Sequence, residues 1–223
     1  MRKKIPHLPT AALLTSVLLA LAGCGGGTDD GAAASSPSPV KAGAGSGQRV
    51  VTALDSPYAK PDLVLTDTHG RSFDLRARTK GRPTLVYFGY THCPDVCPLT
   101  MSNIAVAEKQ LPDTVRDKLR VVFVSTDPER DTPHALGTWL KAQDPDFIGL
   151  TGDFRAVRAA ARQVAISVEP PRKQKDGTIV STHGTQVIAF SPKTDAGYLV
   201  FDEEATVDDY VRVLPKVVRG ERP

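Results

Sequence analysis

Residues 84–98 read TLVYFGYTHCPDVCP, and this stretch decides the fold. Its first seven residues form a near-continuous apolar run, which predicts a strand buried on both faces of a sheet. Pro98 fits the first turn of a helix, where no backbone donor is needed, and we expect that helix to run to about Gln110. Cys93 and Cys97 therefore lie between a central strand and the start of a helix.

Strands and helices alternate through the rest of the chain. A turn at residues 68–70 lies between two short strands and predicts an N-terminal β-hairpin, and residues 147–150 are interpreted as an edge strand. A thioredoxin-like α/β fold follows from the order of strand, helix, strand, helix, hairpin and last helix. The predicted strands cover 62–65, 71–75, 84–90, 119–124, 147–150, 186–190 and 198–201, and the predicted helices 98–110, 132–141, 153–164 and 206–218.

The N-terminus predicts export from the cytoplasm. Residues 2–4 are basic, and the apolar run over 11–22 is too short to span a bilayer. This pattern is typical of a secretory signal peptide, which we place at residues 1–23. Cys24 follows Leu-Ala-Gly, a sequence that resembles the lipidation site of bacterial lipoproteins.

The predicted anchor is followed by a spacer and one domain. Residues 24–50 contain the lipidated Cys24 and a linker rich in Gly, Ala, Ser and Pro, which cannot bury enough apolar surface to fold. The folded domain is predicted over residues 51–223. We therefore expect a protein anchored by lipid in a bacterial cell membrane, with its domain on the extracytoplasmic face.

The charge argues against nucleic acid as a partner. The chain has 28 basic and 25 acidic residues, and removal of residues 1–23 leaves 25 of each. No basic stripe of the kind that binds a phosphate backbone is visible in the sequence.

The cysteine content limits the chemistry. The chain has three cysteines, so lipidation of Cys24 would leave only Cys93 and Cys97. Outside the cytoplasm such a pair forms a disulfide, a redox couple or a metal site. An inert disulfide would stabilise little across so short a loop. Structural zinc needs four ligands, whereas two thiolates and an imidazole suit copper. The spacing alone does not choose between metal and redox chemistry.

Two segments resemble the SCO/SenC family. They are FGYTHCPDVCP at residues 88–98 and VSTDPERDT at residues 124–132, and the resemblance covers roughly residues 53–218. His183, just before the strand predicted at 186–190, matches the third family element. The resemblance implies a thioredoxin-like domain that binds one copper ion, as Cu(I) or Cu(II), through Cys93, Cys97 and His183. It also implies a role in building the dinuclear copper centre of cytochrome c oxidase subunit II.

One departure from the family concerns the residue before the histidine. Many members carry an acid there, and this chain has Thr182. A metal-bound histidine usually donates its other N–H to a carboxylate or a carbonyl. Asp127 follows a predicted strand at the same end of the sheet as the cysteines, so we hypothesise that it contacts His183 or acts as a weak copper ligand. His92 is expected on the solvent side, because its position next to Cys93 makes joint coordination strained.

Two functions remain open on the sequence alone. The first is a copper chaperone that delivers copper to subunit II. The alternative is a thiol-disulfide oxidoreductase in which Cys93 and Cys97 form the redox pair and reduce the cysteines of that centre. The expected partners are subunit II and either another copper donor protein or a thioredoxin-like reductant. A peroxiredoxin-like peroxidase is disfavoured, because Tyr90 stands where such enzymes carry Thr.

Overall fold

The computed structural model describes residues 50–222. The predicted signal peptide, Cys24 and nearly all of the predicted linker lie outside the described residues. Among residues 50–222, no helix has the length and hydropathy needed to cross a bilayer.

The described residues form alternating strands and helices. The strands are β1 (Val51–Ala59), β2 (Val64–Asp67), β3 (Ser72–Asp74), β4 (Thr84–Gly89), β5 (Arg120–Ser125), β6 (Ile148–Thr151), β7 (Arg172–Lys173), β8 (Ile179–Val180), β9 (Val187–Phe190) and β10 (Ala196–Phe201). The helices are α1 (Leu75–Arg78), α2 (Val96–Gln110), α3 (Asp113–Arg116), α4 (Pro133–Gln143), α5 (Phe154–Gln163) and α6 (Val207–Arg219).

Eight of the described strands make one mixed sheet in the order β1-β10-β9-β4-β5-β6-β2-β3. Strands β4, β5 and β6 are parallel neighbours, whereas β9 pairs with β4 in the antiparallel sense. The carboxyl ends of β4 and β5 therefore meet at one edge, and the loops that follow them lie side by side. Strands β7 and β8 form a separate antiparallel pair just before β9.

The central strand β4 is buried on both faces, as its apolar run predicts. Successive side chains point to opposite faces, and the two apolar clusters divide accordingly. Leu85 and Tyr87 pack in the cluster that includes residues of α2, α4 and α6. Val86 and Phe88 pack in the cluster that includes residues of α5. Helices on both faces of a mostly parallel centre define an α/β architecture.

Most of the predicted elements are confirmed. The N-terminal hairpin forms from β2 and β3, which are antiparallel. Thr132 caps α4 by accepting a hydrogen bond from the amide of Ala135, with Pro133 in the first turn. Helix α6 begins with a capping box in which Thr206 and Asp209 bond each other's backbone amides.

Two expectations about elements are corrected, and β1 is an element that was not expected. Strand β6 is not an edge strand, because the hairpin strand β2 pairs along its other side. Helix α2 begins at Val96, so Cys97 lies inside the first turn rather than before it. Strand β1 was not expected, because Asp55, Ser56 and Pro57 are poor strand formers. It pairs with β10 through a shift in register between Ala53 and Tyr58.

Candidate metal centre

The two thiols lie where β4 passes into α2. Cys93 is in the loop and half-buried, whereas Cys97 is fully buried in the first turn of the helix. The backbone amide of Cys97 donates to Sγ of Cys93 at 3.4 Å. Neither Cys93 nor Cys97 is in a disulfide. An amide of the first helical turn has no partner within the helix, so it is available to bond a thiolate.

His183 reaches the thiols from the segment between β8 and β9. It pairs in an isolated bridge with Val168, and the amide of Gly184 donates to the carbonyl of Ser167 at 2.8 Å. Nε2 of His183 lies 3.6 Å from Sγ of Cys97, across 86 residues of sequence. The structure thus brings His183 to Cys97, as required if both are ligands.

The tautomer of His183 follows from its second contact. Nδ1 lies 2.9 Å from the carbonyl oxygen of Gly184, which can only accept, so Nδ1 carries the proton. Nε2 of the neutral ring then presents its lone pair toward Cys97. Burial lowers the pKa of His183, which favours this neutral form. A histidine in this state is ready to bind a metal ion.

The hypothesis that Asp127 contacts His183 does not match the geometry. The carboxylate of Asp127 pairs with Arg130, and the Gly184 carbonyl bonds the histidine nitrogen that Asp127 was expected to bond. A direct role of Asp127 as a weak copper ligand stays a prediction. His92 is half-exposed and its Nδ1 contacts the hydroxyl of Thr91, in keeping with a solvent-side position.

Two tyrosines border the site, and their roles were not foreseen. The hydroxyl of Tyr87 donates to Sγ of Cys97 at 3.5 Å. The rings of Tyr87 and Tyr90 meet the His183 ring edge-on, with centroids 6.2 and 5.7 Å away. The alternation along β4 could have placed Tyr87 on the same face as α2. The contacts with His183 depend on a distant loop and leave no local signal.

Asp131 braces the loop before the cysteines and was also missed. Its buried carboxylate accepts hydrogen bonds from the Thr91 amide at 3.1 Å and the Thr91 hydroxyl at 2.6 Å. It also accepts one from the Ser125 hydroxyl at 2.7 Å. Asp131 thereby ties the loop after β4 to the end of β5. Its place in the segment 124–132 was the available signal, but spacing alone did not reveal the contact.

The thiols differ sharply in acidity. The pKa of Cys93 is lowered to about 5, first by the hydrogen bond from the Cys97 side chain and then by backbone hydrogen bonds from Cys97 and Asp95. Burial opposes the shift. The pKa of Cys97 is raised, because its proton bonds Cys93 and because it is buried. The metal-free site therefore holds a Cys93 thiolate, a Cys97 thiol and a neutral imidazole.

Cys93, Cys97 and His183 do not yet surround a common point where an ion could bind. Within residues 50–222, no three Cys, His, Asp or Glu side chains lie close enough to enclose a metal ion as they stand. Cys97 already contacts the imidazole of His183 through Sγ and the Cys93 sulfur through its amide. Two sulfurs and one imidazole nitrogen form a soft donor set, which suits Cu(I) and excludes hard cations such as Mg²⁺.

A thioredoxin-like domain with a cysteine pair after its central strand and a histidine beside it is the class defined by the fold and the site. The SCO1/SenC family model matches residues 52–219. The chain therefore belongs to the SCO1/SenC family.

Individual relatives agree with this assignment. A Stutzerimonas stutzeri protein named for copper binding is 31% identical over 175 residues, which is 78% of this chain and 84% of the relative. Bradyrhizobium japonicum ScoI, solved with copper bound, is 29% identical with a TM-score of 0.61 and covers 73% of this chain and 98% of its own. BsSco, described as a member of the Sco family of cytochrome c oxidase assembly proteins, is 19% identical with a TM-score of 0.58 and covers 75% and 98%. BsSco supports the fold alone.

Proposed function

We propose that this protein binds one copper ion through Cys93, Cys97 and His183 and passes it to a partner protein. The observation that carries the proposal is the position of Nε2 of His183, 3.6 Å from Sγ of Cys97 with Nδ1 bonded to Gly184. The hydrogen bond to Gly184 orients the His183 ring without any contribution from Cys97. This orientation points Nε2 at the Cys97 sulfur, as expected if both atoms bind the same metal ion. The copper-bound state of Bradyrhizobium japonicum ScoI supports the same choice of metal.

Copper entry requires a small change at the site. Cys93 lies in the loop rather than in α2, so its side chain is the one able to turn toward His183. Cys97 must lose its proton, since a thiolate is the ligand form. Copper binding therefore releases a proton, and affinity falls with decreasing pH. Once bound, copper is cargo, because thiolate ligands exchange readily with similar donors on a partner.

The proposed recipient is subunit II of cytochrome c oxidase, where the dinuclear copper centre is built. Membership of the SCO1/SenC family, whose resemblance implies a role in building this centre, supports this target. Membrane attachment through Cys24 would raise the local concentration near a membrane-bound recipient. If so, the Cys24→Ser chain should leave the membrane fraction, and its retention there would contradict the lipid anchor.

A thiol-disulfide reductase is the second candidate, favoured by the low pKa of Cys93 beside the protonated Cys97. The Cys93 thiolate would attack a target disulfide and expel one target thiolate. Cys97 would then lose its proton and attack Sγ of Cys93, which expels the second target thiolate. Two electrons pass to the target, and Cys93 and Cys97 end as a disulfide. A thioredoxin-like reductant would have to restore the dithiol.

The two functions separate in a transfer experiment. The copper-loaded chain is mixed with the metal-free soluble domain of oxidase subunit II, whose cysteines are reduced beforehand. After the two proteins are separated, we expect copper in the recipient that was mixed with the native chain and not in the one mixed with the His183→Ala chain. If the protein is a reductase, the native chain and the His183→Ala chain should both produce free thiols in a recipient whose cysteines are oxidised beforehand. Failure of transfer to the reduced recipient, with thiols formed from the oxidised one, would contradict copper delivery.

A further inference from the structure

The guanidinium of Arg130 joins three parts of the site that the sequence separates. It pairs with the carboxylate of Asp127, whose side chain is 2% exposed. Its Nη2 also lies 3.4 Å from the carbonyl oxygen of Ile179 in β8. Its carbon Cζ stands 5.9 Å from the centre of the Tyr90 ring. One side chain from the loop after β5 thus contacts the end of β4 and the strand that precedes His183.

These contacts lead directly to the histidine. The Tyr90 ring, which Arg130 covers, meets the His183 ring edge-on at 5.7 Å with an interplanar angle of 86°. The Ile179 carbonyl lies four residues before His183, on the segment that carries it. Tyr90 is nearly buried, at 6% exposed. A planar guanidinium can donate to a carboxylate and a carbonyl while stacking on an aromatic face, which an ammonium cannot.

Other contacts hold the segment around His183 as well, but most of them lie away from Arg130. Gly184 and Thr182 are bonded through their backbones to residues 167–169. These hydrogen bonds attach the segment to the stretch of chain that follows α5. On the side of the cysteines, Arg130 donates to the Ile179 carbonyl, and the Tyr87 and Tyr90 rings contact His183. Loss of Arg130 would remove the hydrogen bond to Ile179 and the cover over the Tyr90 ring, and so loosen residues 179–183.

We infer that Arg130 is a positioning residue, which clamps the 179–183 segment and the Tyr90 ring so that Nε2 of His183 faces the thiols. Asp127 then acts through Arg130 by fixing the guanidinium, rather than by touching His183. Two residues of the DPERD segment at 127–131, Asp127 and Arg130, would therefore help to orient the His183 ring. The inference deepens the proposed copper site, and its copper measurement rests on that proposal.

The test uses the full chain and two measurements, of which one needs no copper. Hydrogen exchange of residues 179–185 in the metal-free protein reports the clamp itself, and copper affinity with the Cu(II) spectrum reports the site. Arg130→Ala should speed exchange in this segment and weaken copper binding by about tenfold or more, as loss of a group that orients a ligand does. Arg130→Lys should restore only part of each, because it keeps the charge without the planar fork.

Arg172→Ala is the matched control, since Arg172 lies exposed in β7 of the same strand pair. It removes the same charge and should match the native chain in both measurements. Arg130→Ala leaves the buried Asp127 unpaired and could unfold the chain. The Asp127→Asn/Arg130→Ala double variant avoids that charge and should show the same faster exchange.

The outcomes distinguish the two ideas. Exchange and copper affinity within twofold of the native chain in the folded variants would overturn the role of Arg130. If the native chain binds no copper, the proposed function fails, and the exchange measurement still decides whether Arg130 clamps the segment. Faster exchange over the whole domain, rather than at residues 179–185, would also overturn the inference, because it would make Arg130 a general stabiliser.

Discussion

Cys93 of the reduced, metal-free protein should be alkylated by iodoacetamide at a rate that is half-maximal near pH 5 and level above pH 6. The reason is its pKa of about 5, set first by the hydrogen bond from the Cys97 side chain. At pH 6 about 90% of such a thiol is thiolate, against about 0.3% of an ordinary cysteine. The lower nucleophilicity of an acidic thiolate removes part of this advantage, which leaves about tenfold in rate.

Cys97 provides the internal comparison. It is fully buried and its pKa is raised, so it should react at least about a hundredfold more slowly than Cys93 between pH 6 and pH 8. The Cys24→Ser chain limits the reaction to these two thiols, and mass spectrometry of digested samples assigns each site. A rate at Cys93 that climbs tenfold per pH unit from 6 to 8 would show an ordinary thiol and contradict the described hydrogen bonds.

Glu108→Gln should stabilise the fold at pH 8 and have much less effect at pH 5. The pKa of Glu108 is raised to about 7 by burial first, and then by the charges of Asp144 and Asp146. Arg116 and Arg120 oppose the shift without cancelling it. Because the folded-state pKa lies above the ordinary value of 4.5, folding favours the protonated acid. The stability that this protonation contributes is complete below about pH 4.5 and is lost as the pH rises through 7.

Glutamine has nearly the shape of the protonated acid and never ionises. From pH 5 to pH 8 the free energy of unfolding of the variant, relative to the native chain, should therefore increase by about 2 to 3 kcal/mol. Urea unfolding at the two pH values measures it. Glu203→Gln, at an exposed position before α6, should change stability by less than about 0.5 kcal/mol at both. An equal effect of Glu108→Gln at pH 5 and pH 8 would contradict a raised pKa.

The central strands were predictable because their information is local. Strands β4 and β5 are apolar runs, and the caps of α4 and α6 can be read from residues next to each helix. The place of β6 was mispredicted, because a strand becomes internal only when another pairs with it. Here that partner is β2, about 80 residues earlier in the chain.

In the site, too, local features could be predicted from the sequence and contacts between distant segments could not. Cys93 and Cys97 stand in one motif, and His183 was assigned through resemblance to the SCO/SenC family rather than through spacing. The contacts of Arg130 with Tyr90 and Ile179 join the loop after β5 to the end of β4 and to β8. Such contacts depend on the relative position of sheet edges, which no periodicity in the sequence records. For the same reason Asp127 was predicted to face His183, whereas it pairs with its near neighbour Arg130.

Copper titration of the reduced chain, native against His183→Ala, tests the central claim most directly. His69→Ala is the control, because His69 lies exposed in the turn between β2 and β3. We predict one copper ion per native and His69→Ala chain, with a thiolate-to-copper absorption band for Cu(II). The His183→Ala chain should lose the band and bind at least about tenfold more weakly. Native affinity and an unchanged band in His183→Ala would contradict a site built from two cysteines and this histidine.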